Sequence, residues 1–331
     1  MTSAAGRRAL TEVFGGEGWT AQGEELLRRS LGPRGPELLL EAPGWLGLAA
    51  GQLVLEAGCR DATHAVALAG RYRCRVLGVD LVGAWLPQGR DEAAAAGLGQ
   101  QVTLVQGDLE ALPVAGGVCD LVWCRDVLSC VEDAGRMLGE CARVLRPGGG
   151  MVLYAVFATD QLPPGDRALV VEGLGNSPAS MHQPTVEAAI DAAGFRVVRR
   201  EVIASEWSEH QLEHDPGHLT DDLLEIARLV RNRERAEAVL GPVWYRRALA
   251  FATWRLQIVQ GRLLPVLYAL AQPGPRRTRS APRGGVAGAD RLDQAGVDGR
   301  LLLDLAGGGQ AGEEIRVLGR EPAGEPRVQP L

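Results

Sequence analysis

Apolar runs alternate with helical segments from residue 52 to residue 157, and this alternation constrains the fold more than any other feature. The runs LVLEA, CRVLGVD, VTLVQGD, VCDLVWC and GGMVLYAVF are separated by segments such as ATHAVALAGRY and EDAGRMLGECARVL. Strands separated by helices of this length form a parallel sheet with helices on both faces. The continuous apolar character of VLGV, DLVW and MVLYAVF agrees, because parallel strands are buried on both sides. The sequence therefore predicts an α/β fold.

The pattern changes towards the rear of this body. A helix over TVEAAIDAAGF, capped by Gly194, precedes a sixth strand over RVVRREVIAS, whose alternation is typical of a position near a sheet edge. A helical excursion follows over residues 205–260, and LLPVLYAL reads as a seventh strand. We predict a doubly wound, seven-stranded, mostly parallel Rossmann-like sheet with a helical insertion before its last strand.

The chain divides into five segments on this interpretation. Residues 1–50 form a front cap with a short amphipathic helix at 22–31, which Pro33 and Pro36 end. Residues 51–204 form the α/β core, 205–260 a helical lid, and 261–273 the last strand. Residues 274–331 are rich in Gly and Pro and are predicted to be a disordered tail, in which LLLDL at 301–305 is an unexplained apolar patch.

Composition excludes several classes of protein. All 35 basic residues are arginine, so lysine Schiff-base and lysine general-base chemistry are excluded. The net charge of −6 gives no basic footprint for nucleic acid. No apolar run reaches the length of a membrane span, and the N-terminus lacks the layout of a secretory signal, so we expect a cytoplasmic protein. Six cysteines lie mostly inside apolar runs without paired spacings, which favours buried thiols over disulfides or a zinc site.

A turn in LVLEAGCRDATH, residues 53–64, raises the question of a cofactor. Gly58 occupies the first and tightest position of a nucleotide-type turn, but Arg60 and Ala62 stand where two further glycines are usual. A bulky Arg60 would block the approach of a dinucleotide pyrophosphate, and a P-loop is excluded because GK[ST] is absent. A cofactor without a phosphate is less demanding. S-adenosylmethionine is the common one at this place in an α/β sheet.

Acidic residues stand at the ends of four successive strands, where ligands of open α/β sheets bind. Glu56 ends the first. Asp80 ends the second, where a carboxylate can accept hydrogen bonds from both ribose hydroxyls. Asp108 ends the third, where it can accept from an adenine amino group while Leu109 packs on the ring. Asp126 follows the fourth strand, beside the expected reacting end of the cofactor.

The run from Val54 to Phe157 resembles a class I S-adenosylmethionine-dependent methyltransferase of the small-molecule type. It contains VLEAGC, VLGVD, QGDLEALP, CDLVWCRDVLSCVED and CARVLRPGGGMVLY in the family's order and spacing. The resemblance implies the seven-stranded fold with a reversed last strand. It also implies cofactor contacts at the methionine portion from Glu56, Gly58, Cys59 and Arg60, at the ribose from Asp80 and Leu81, at the adenine from Asp108 and Leu109, and beside the methionine backbone from Cys124 and Arg125.

Few groups are candidates for acid–base chemistry. The methyl group of the cofactor is already activated, so a base is needed only for a protonated acceptor. Asp126 is one candidate, and His182, in a loop that could overhang the site, is another. His210 and His214 lie four residues apart on one helix face, but without an HExxH arrangement we read them as a solvated helix start and predict no metal. His64 is interpreted as a packing or surface residue.

Aromatic residues concentrate in the helical insertion of a chain that is 5% aromatic. These residues are Trp207, Trp244, Tyr245 and Trp254. They either pack the helices together or line an acceptor pocket, which would be apolar or would bind an amine by cation–π contact. Trp207 and Tyr245 are the predicted acceptor contacts. We expect a small, partly apolar metabolite, phenolic or amine, enclosed between the front helix and residues 205–260. The sequence leaves open O-, N- or C-methylation and the oligomeric state.

Two other functions remain in view. An NAD-dependent oxidoreductase shares the sheet and the ribose acid, but the turn after the first strand lacks GxGxxG and a Lys-free chain cannot supply a Tyr/Lys pair. A catalytically silent binding protein with the S-adenosylmethionine fold is suggested by Arg60 and Ala62, while the retained Asp80 and Asp108 count against it.

Overall fold

The computed structural model describes residues 28–274 together with Gly23 and Glu25, and for residues 216–223 it describes the backbone alone. The helix predicted at 22–31 is therefore only partly within the described residues. The predicted tail, with its LLLDL patch, lies outside them from residue 275 onward.

Seven strands form one sheet in the order β3-β2-β1-β4-β5-β7-β6. Strands β1 to β5 are parallel, whereas β7 runs antiparallel to both β5 and β6. The predicted seven-stranded sheet with a reversed last strand is thus confirmed. The strands are β1 (Leu53–Ala57), β2 (Arg75–Asp80), β3 (Val102–Gln106), β4 (Cys119–Arg125), β5 (Leu145–Ala158), β6 (Arg196–Val202) and β7 (Leu263–Ala271).

Helices connect these strands, and three of them form the insertion between β6 and β7. Among the described residues, no helix is both long and apolar enough to cross a bilayer. The helices are α1 (Glu37–Trp45), α2 (Thr63–Tyr72), α3 (Leu86–Ala95), α4 (Ala134–Val144), α5 (Pro164–Leu174), α6 (Gln183–Ala192), α7 (Glu206–His214), α8 (Pro216–Arg231) and α9 (Arg233–Val259).

Two helices that the sequence did not predict, α1 and α5, begin at prolines. Pro36 is the N-cap of α1, and Pro164 is the first residue of α5. Pro36 was predicted only to end the helix at 22–31, and residues 29–36 are indeed not helical. At the start of a helix, proline loses no hydrogen bond and its fixed φ suits the first turn, so Pro36 also precedes a helix and Pro164 begins one.

Strand β4 shows why the sheet is buried on both faces. Leu121 and Trp123 point into one core cluster, and Val122 and Cys124 point into the other. Side chains alternate between the faces of a strand, so a continuous apolar run fills both cores at once. Strand β6 is exposed along most of its length, as its predicted edge position requires.

The strand order reverses between β1 and β4, which pair side by side in the middle of the sheet. The connection from β1 leads to one side of the sheet, towards β2 and β3, and that from β4 leads to the other, towards β5. A crevice opens between the two loops at the carboxyl ends of these strands, and ligands of open α/β sheets bind at such a point. The candidate site is built there.

Candidate functional site

Three alternate residues in the loop between β1 and α2 have the left-handed backbone conformation that favours glycine, but only one of them is glycine. The φ angles are +78° at Gly58, +45° at Arg60 and +62° at Ala62. A left-handed backbone costs an L-residue about 1–2 kcal/mol. Arg60 and Ala62 therefore carry conformational strain, and the turn of the loop is kept in spite of it.

Gly58 allows the loops after β1 and β4 to approach each other. A Cβ atom at Gly58 would lie 2.3 Å from Cγ2 and 2.9 Å from Cγ1 of Val127, which follows β4. The backbone N–H of Gly58 also donates to the carbonyl of Val79 at 2.8 Å. No larger residue fits at this position without displacing Val127.

Asp80 is fixed at the end of β2 by two backbone donors. Its Oδ2 accepts from the N–H of Arg60 and its Oδ1 from the N–H of Val82, both at 2.8 Å. Each carboxylate oxygen has a second lone pair and can accept another hydrogen bond. Asp108, after β3, is exposed and accepts from the N–H of Glu110 at 2.8 Å. Both acids therefore present acceptor oxygens at the carboxyl edge of the sheet.

Two cavities of about 350 and 430 Å³ lie along this edge and share Gly58, Asp80 and Val127. They form one groove across the ends of β1 to β4. The predicted cofactor residues that line it are Gly58, Cys59, Arg60, Asp80, Leu81, Asp108, Leu109 and Arg125, together with the predicted catalytic candidate Asp126. Glu56 and Cys124 do not line the groove, since each is about 1% exposed beneath it.

The ring of His64 lies between the buried Glu56 and Arg125. Nη1 of Arg125 donates to Nε2 of His64, and Nδ1 of His64 lies 3.7 Å from Oε1 of Glu56. The ring also packs against Trp123, with 4.9 Å between centroids. Burial, and then the charge of Arg125, lower the pKa of His64 to about 4. Burial, and then the charge of Asp61, raise the pKa of Glu56 well above its ordinary value.

A third cavity, of about 480 Å³, lies beside the groove and contains Arg125 in its lining. Its apolar wall includes Trp207 of α7, which stacks on Tyr154 of β5 with 4.9 Å between ring centroids and 7° between ring planes. Residues of α1 and α9 line other sides of the same cavity. Burial raises the pKa of Tyr154 above its ordinary value, so its hydroxyl stays protonated at neutral pH. Arg125 therefore stands where the polar groove meets a mainly apolar cavity.

Arg34 links the segment before α1 to β6 and α7 beside this third cavity. Its guanidinium donates to both carboxylate oxygens of Glu206, at 2.8 and 2.7 Å, and to Glu201 at 2.9 Å. A bidentate arginine–carboxylate pair fixes orientation as well as distance. The segment before α1 is thereby held against β6 and the start of α7.

Comparison with known proteins identifies the central part of the chain. Residues 55–153 match a family model described as a methyltransferase domain. The chain carries a class I S-adenosylmethionine-dependent methyltransferase domain. The resemblance inferred from the sequence is confirmed.

Two curated relatives of the methyltransferase domain are named for different activities. Methyltransferase GfsG of Streptomyces halstedii is 30% identical over 153 residues, which are 45% of this chain and 55% of that protein. The S-adenosyl-L-methionine-dependent Diels-Alderase iccD of Talaromyces variabilis is 35% identical over 117 residues, which are 34% of this chain and 39% of that protein. The chain thus spans about half or less of the length of these relatives.

A solved structure shares the fold of the methyltransferase domain and its additions. Geranyl diphosphate C-methyltransferase from Streptomyces coelicolor A3(2), in complex with Mg2+, geranyl-S-thiolodiphosphate and S-adenosyl-L-homocysteine, superposes with a TM-score of 0.55. The sequence identity is 16%, and the match covers 71% of this chain and 74% of that chain. At this identity the likeness concerns the fold.

The groove of the methyltransferase domain fits the cofactor of its family by the chemistry of its donor and acceptor set. Asp80 and Asp108 present carboxylate oxygens that can accept hydrogen bonds of the kind that hydroxyl and amino groups of a nucleoside donate, and a Cβ at Gly58 would fill the space between the two loops. No phosphate-binding nest of glycines is present, and S-adenosylmethionine has no phosphate to bind. The non-glycine residues of the loop are compatible with this cofactor.

Several predicted residues lie away from these cavities. Tyr245 is buried in the insertion, with its hydroxyl 3.5 Å from the carbonyl of Leu229, so it is helix packing and does not line the third cavity. His182 is exposed at the start of α6 and bonds Thr185 at 2.8 Å, outside the three cavities. His210 and His214 stack with 4.0 Å between ring centroids. Within the part of the chain described, no three side chains could hold a metal ion.

The cysteines follow the sequence interpretation with one exception. All six are free thiols, and five of them are buried, but Cys130 is exposed and lines the groove beside Asp108. Cys130 lies in a short 3-10 helix after β4, a loop position that the apolar sequence context did not reveal.

Sequence reasoning missed two roles in the methyltransferase domain, those of His64 and Tyr154. His64 is the second residue of α2, so its side chain turns back towards the end of β1. Its position in the first turn after the loop was the available signal. Tyr154 is paired with Arg125 in the register of β4 and β5, which only the strand alignment reveals.

Proposed function

We propose that this chain transfers a methyl group from S-adenosylmethionine to a small, partly apolar organic molecule. The observation that carries the proposal is the position of Arg125, which lines both the groove and the third cavity. A methyl donor in the groove would face an acceptor in the adjoining cavity at that residue. Alignment of donor and acceptor supplies much of the rate of such a transfer.

The groove residues hold the methyl donor in this proposal. Asp80 would accept from the ribose hydroxyls and Asp108 from the adenine, with Leu109 against the ring. The loop from Gly58 to Arg60 would lie along the methionine portion, with Arg125 at its far end. S-adenosylmethionine supplies a methyl group activated on a sulfonium sulfur. Glu56 and Cys124, beneath the groove, act on the position of the loop and not by direct contact.

The third cavity is the proposed acceptor site. The Tyr154–Trp207 stack and the apolar side chains of α9 would exclude water and orient an apolar ring or chain. Arg34 keeps the N-terminal wall of this site closed through Glu201 and Glu206. Asp126, exposed beside Arg125 in the groove, is the proposed proton acceptor for an acceptor that must be ionised.

Calorimetry with S-adenosylhomocysteine tests the cofactor half of the proposal. We expect binding at micromolar to sub-millimolar strength, and Asp80→Ala is expected to weaken it about tenfold or more, because hydrogen bonds to a charged acceptor contribute about 1.5–3 kcal/mol. Asp191→Ala, a substitution on α6 outside the three cavities, is the control and should leave the affinity unchanged. Absence of binding at millimolar concentration would refute the proposal.

Transfer itself is tested with methyl-labelled S-adenosylmethionine and pools of small metabolites. Label is expected in a small organic product, and Trp207→Ala should lower acceptor turnover while sparing cofactor affinity. Label found in RNA or protein alone would refute the acceptor class.

One observation favours a second candidate, a cofactor-binding protein without methyl transfer. Arg60 and Ala62 replace glycines at left-handed positions, and the relative iccD is named for a cycloaddition. On that alternative, S-adenosylhomocysteine binds with the predicted Asp80 dependence, yet no label leaves the donor with any acceptor pool.

A further inference from the structure

We propose that Arg125 selects acceptors whose methyl-accepting atom is an ionised oxygen, as a phenol provides, and that His64 positions the guanidinium for this role. The inference rests on the proposed function, because it assigns the chemistry of the acceptor at the same site.

Arg125 is a half-buried cation without a carboxylate partner. Its guanidinium donates to the imidazole of His64, and none of the ion pairs among residues 28–215 and 224–274 includes Arg125. Asp126 and Glu56 act on Arg125 only through longer-range charge, and neither carboxylate is in contact with its guanidinium. A half-buried cation without a hydrogen-bonded anion favours one beside it, so the junction favours negative charge, from the methionine carboxylate of the donor on the groove side and from an acceptor on the other.

The neighbour of Arg125 cannot supply that charge. Arginine has no hydrogen-bond acceptor, so Nε2 of His64 must be the acceptor and the ring proton must lie on Nδ1, towards Glu56. The lowered pKa of His64 keeps the ring neutral at neutral pH. Trp123 packs on the ring and Glu56 lies 3.7 Å from its Nδ1, so His64 fixes the direction of the guanidinium without neutralising it.

Other charged or titratable groups surround the junction on both sides, and the carboxyl group of Glu56 lies beneath it. Those in the cofactor part are Arg60, Asp61, His64, Asp80 and Asp126. Those in the acceptor part are Glu37, Tyr154, His210, His214, Asp215 and Arg255. Arg255 is hydrogen-bonded to Glu225, and Tyr154 is neutral. Arg125 is thus the arginine of the acceptor cavity that has no carboxylate in hydrogen-bond contact among the described side chains.

This charge distribution discriminates between acceptor atoms. An ammonium group would meet the like charges of Arg125 and the sulfonium, whereas a phenolate is attracted to both. Transfer to the oxygen forms one O–C bond and breaks one C–S bond, the C–S electron pair stays on sulfur, and the charges of oxyanion and sulfonium cancel. An opposite charge within about 4–6 Å lowers the pKa of an acid by about one to three units, so Arg125 also promotes ionisation of the acceptor.

The test uses 4-nitrophenol, whose colour reports its ionisation near neutral pH, bound to the full chain saturated with S-adenosylhomocysteine. In the wild-type protein we expect the pKa of the bound probe to fall by about one unit or more, which is a tenfold preference for the phenolate. Arg125→Gln should abolish this shift. Arg255→Gln is the matched control, because that arginine lines the same cavity but is already paired, and it should retain the shift.

Further variants separate charge from structure. Arg125→Lys keeps the charge and should retain at least half of the shift, whether or not the Gln variant folds. His64→Phe removes the positioning bond and should reduce the shift while the neutral probe still binds. The proposal is overturned if the wild-type protein binds only the neutral phenol or no probe, if Arg125→Gln keeps the shift, or if Arg125→Lys loses it. Failure of S-adenosylhomocysteine to bind the wild-type chain would instead refute the proposed function.

Discussion

Replacing Gly58 by alanine tests the close approach of the two loops at the centre of the candidate site. The new Cβ would lie 2.3 and 2.9 Å from the two methyl carbons of Val127, and the φ of +78° would remain strained. The left-handed backbone costs about 1–2 kcal/mol, partly offset by about 0.4–1 kcal/mol from the stiffer unfolded chain. Overpacking adds about 1–3 kcal/mol. We expect Gly58→Ala to lower the free energy of unfolding by about 1–5 kcal/mol.

Gly97→Ala is the matched control for the backbone term. Gly97 has a φ of +71°, and a Cβ there would meet nothing within 4 Å. Its substitution should therefore cost about 1 kcal/mol or less, from backbone strain alone. Val127→Ala provides the complementary test, because it removes the two methyl carbons and leaves only the Cβ of residue 127, 3.1 Å from the new Cβ. In that background, Gly58→Ala should cost less than it does in the wild-type protein and approach the cost of Gly97→Ala.

Urea denaturation of the wild-type protein, the three single variants and the double variant, followed by circular dichroism, measures these differences as shifts in midpoint at constant slope. The double-mutant cycle should give a coupling of about 1–3 kcal/mol between positions 58 and 127. A cost of Gly58→Ala that equals that of Gly97→Ala within about 0.5 kcal/mol, or that Val127→Ala leaves unchanged, would refute the steric reasoning.

Two further predictions concern single side chains. Cys130 is the exposed thiol and lines the groove, so a thiol reagent such as Ellman's should label it first, and S-adenosylhomocysteine should slow that labelling. Equally fast labelling of the five buried thiols, or no protection of Cys130, would contradict the placement of the site. His64 has a folded-state pKa lowered from 6.5 to about 4, so its contribution to stability is present above about pH 6.5 and is lost as the pH falls to about 4. The difference in free energy of unfolding between wild type and His64→Gln, measured by urea denaturation, should therefore change by up to about 1.4 kcal/mol per pH unit in that window. A difference that does not change with pH would mean that His64 is not buried as a neutral ring.

The sheet was predictable because its apolar runs are long and continuous, and the acids of the groove because they stand at the ends of those runs. Parallel strands bring their carboxyl ends to one edge, so Asp80 and Asp108 meet there whatever the intervening helices contain. This reasoning needs no knowledge of packing. It also predicted the loop at Gly58, since only a tight turn joins β1 to α2.

The acceptor side was less predictable because it depends on packing between distant segments. Trp207 and Tyr245 looked alike in sequence, but the course of α9 buries Tyr245 against α8 while α7 places Trp207 on Tyr154. The contact of Arg125 with His64 joins residues 61 positions apart. No local periodicity encodes such a pair.

The antiparallel pairing of β6 with β7 determines how this enzyme fold can vary. Val202, at the end of β6, is in register with Val266 near the start of β7, and the N–H of Ile203 donates to the carbonyl of Pro265 at 3.0 Å. The chain therefore leaves the sheet after β6 and returns to it at β7 at neighbouring positions. The three insertion helices connect these two paired strands as a loop connects the strands of a hairpin. A change in the length or sequence of that segment would therefore leave the register of β6 and β7 unaltered and the groove at the ends of β1 to β4 unchanged.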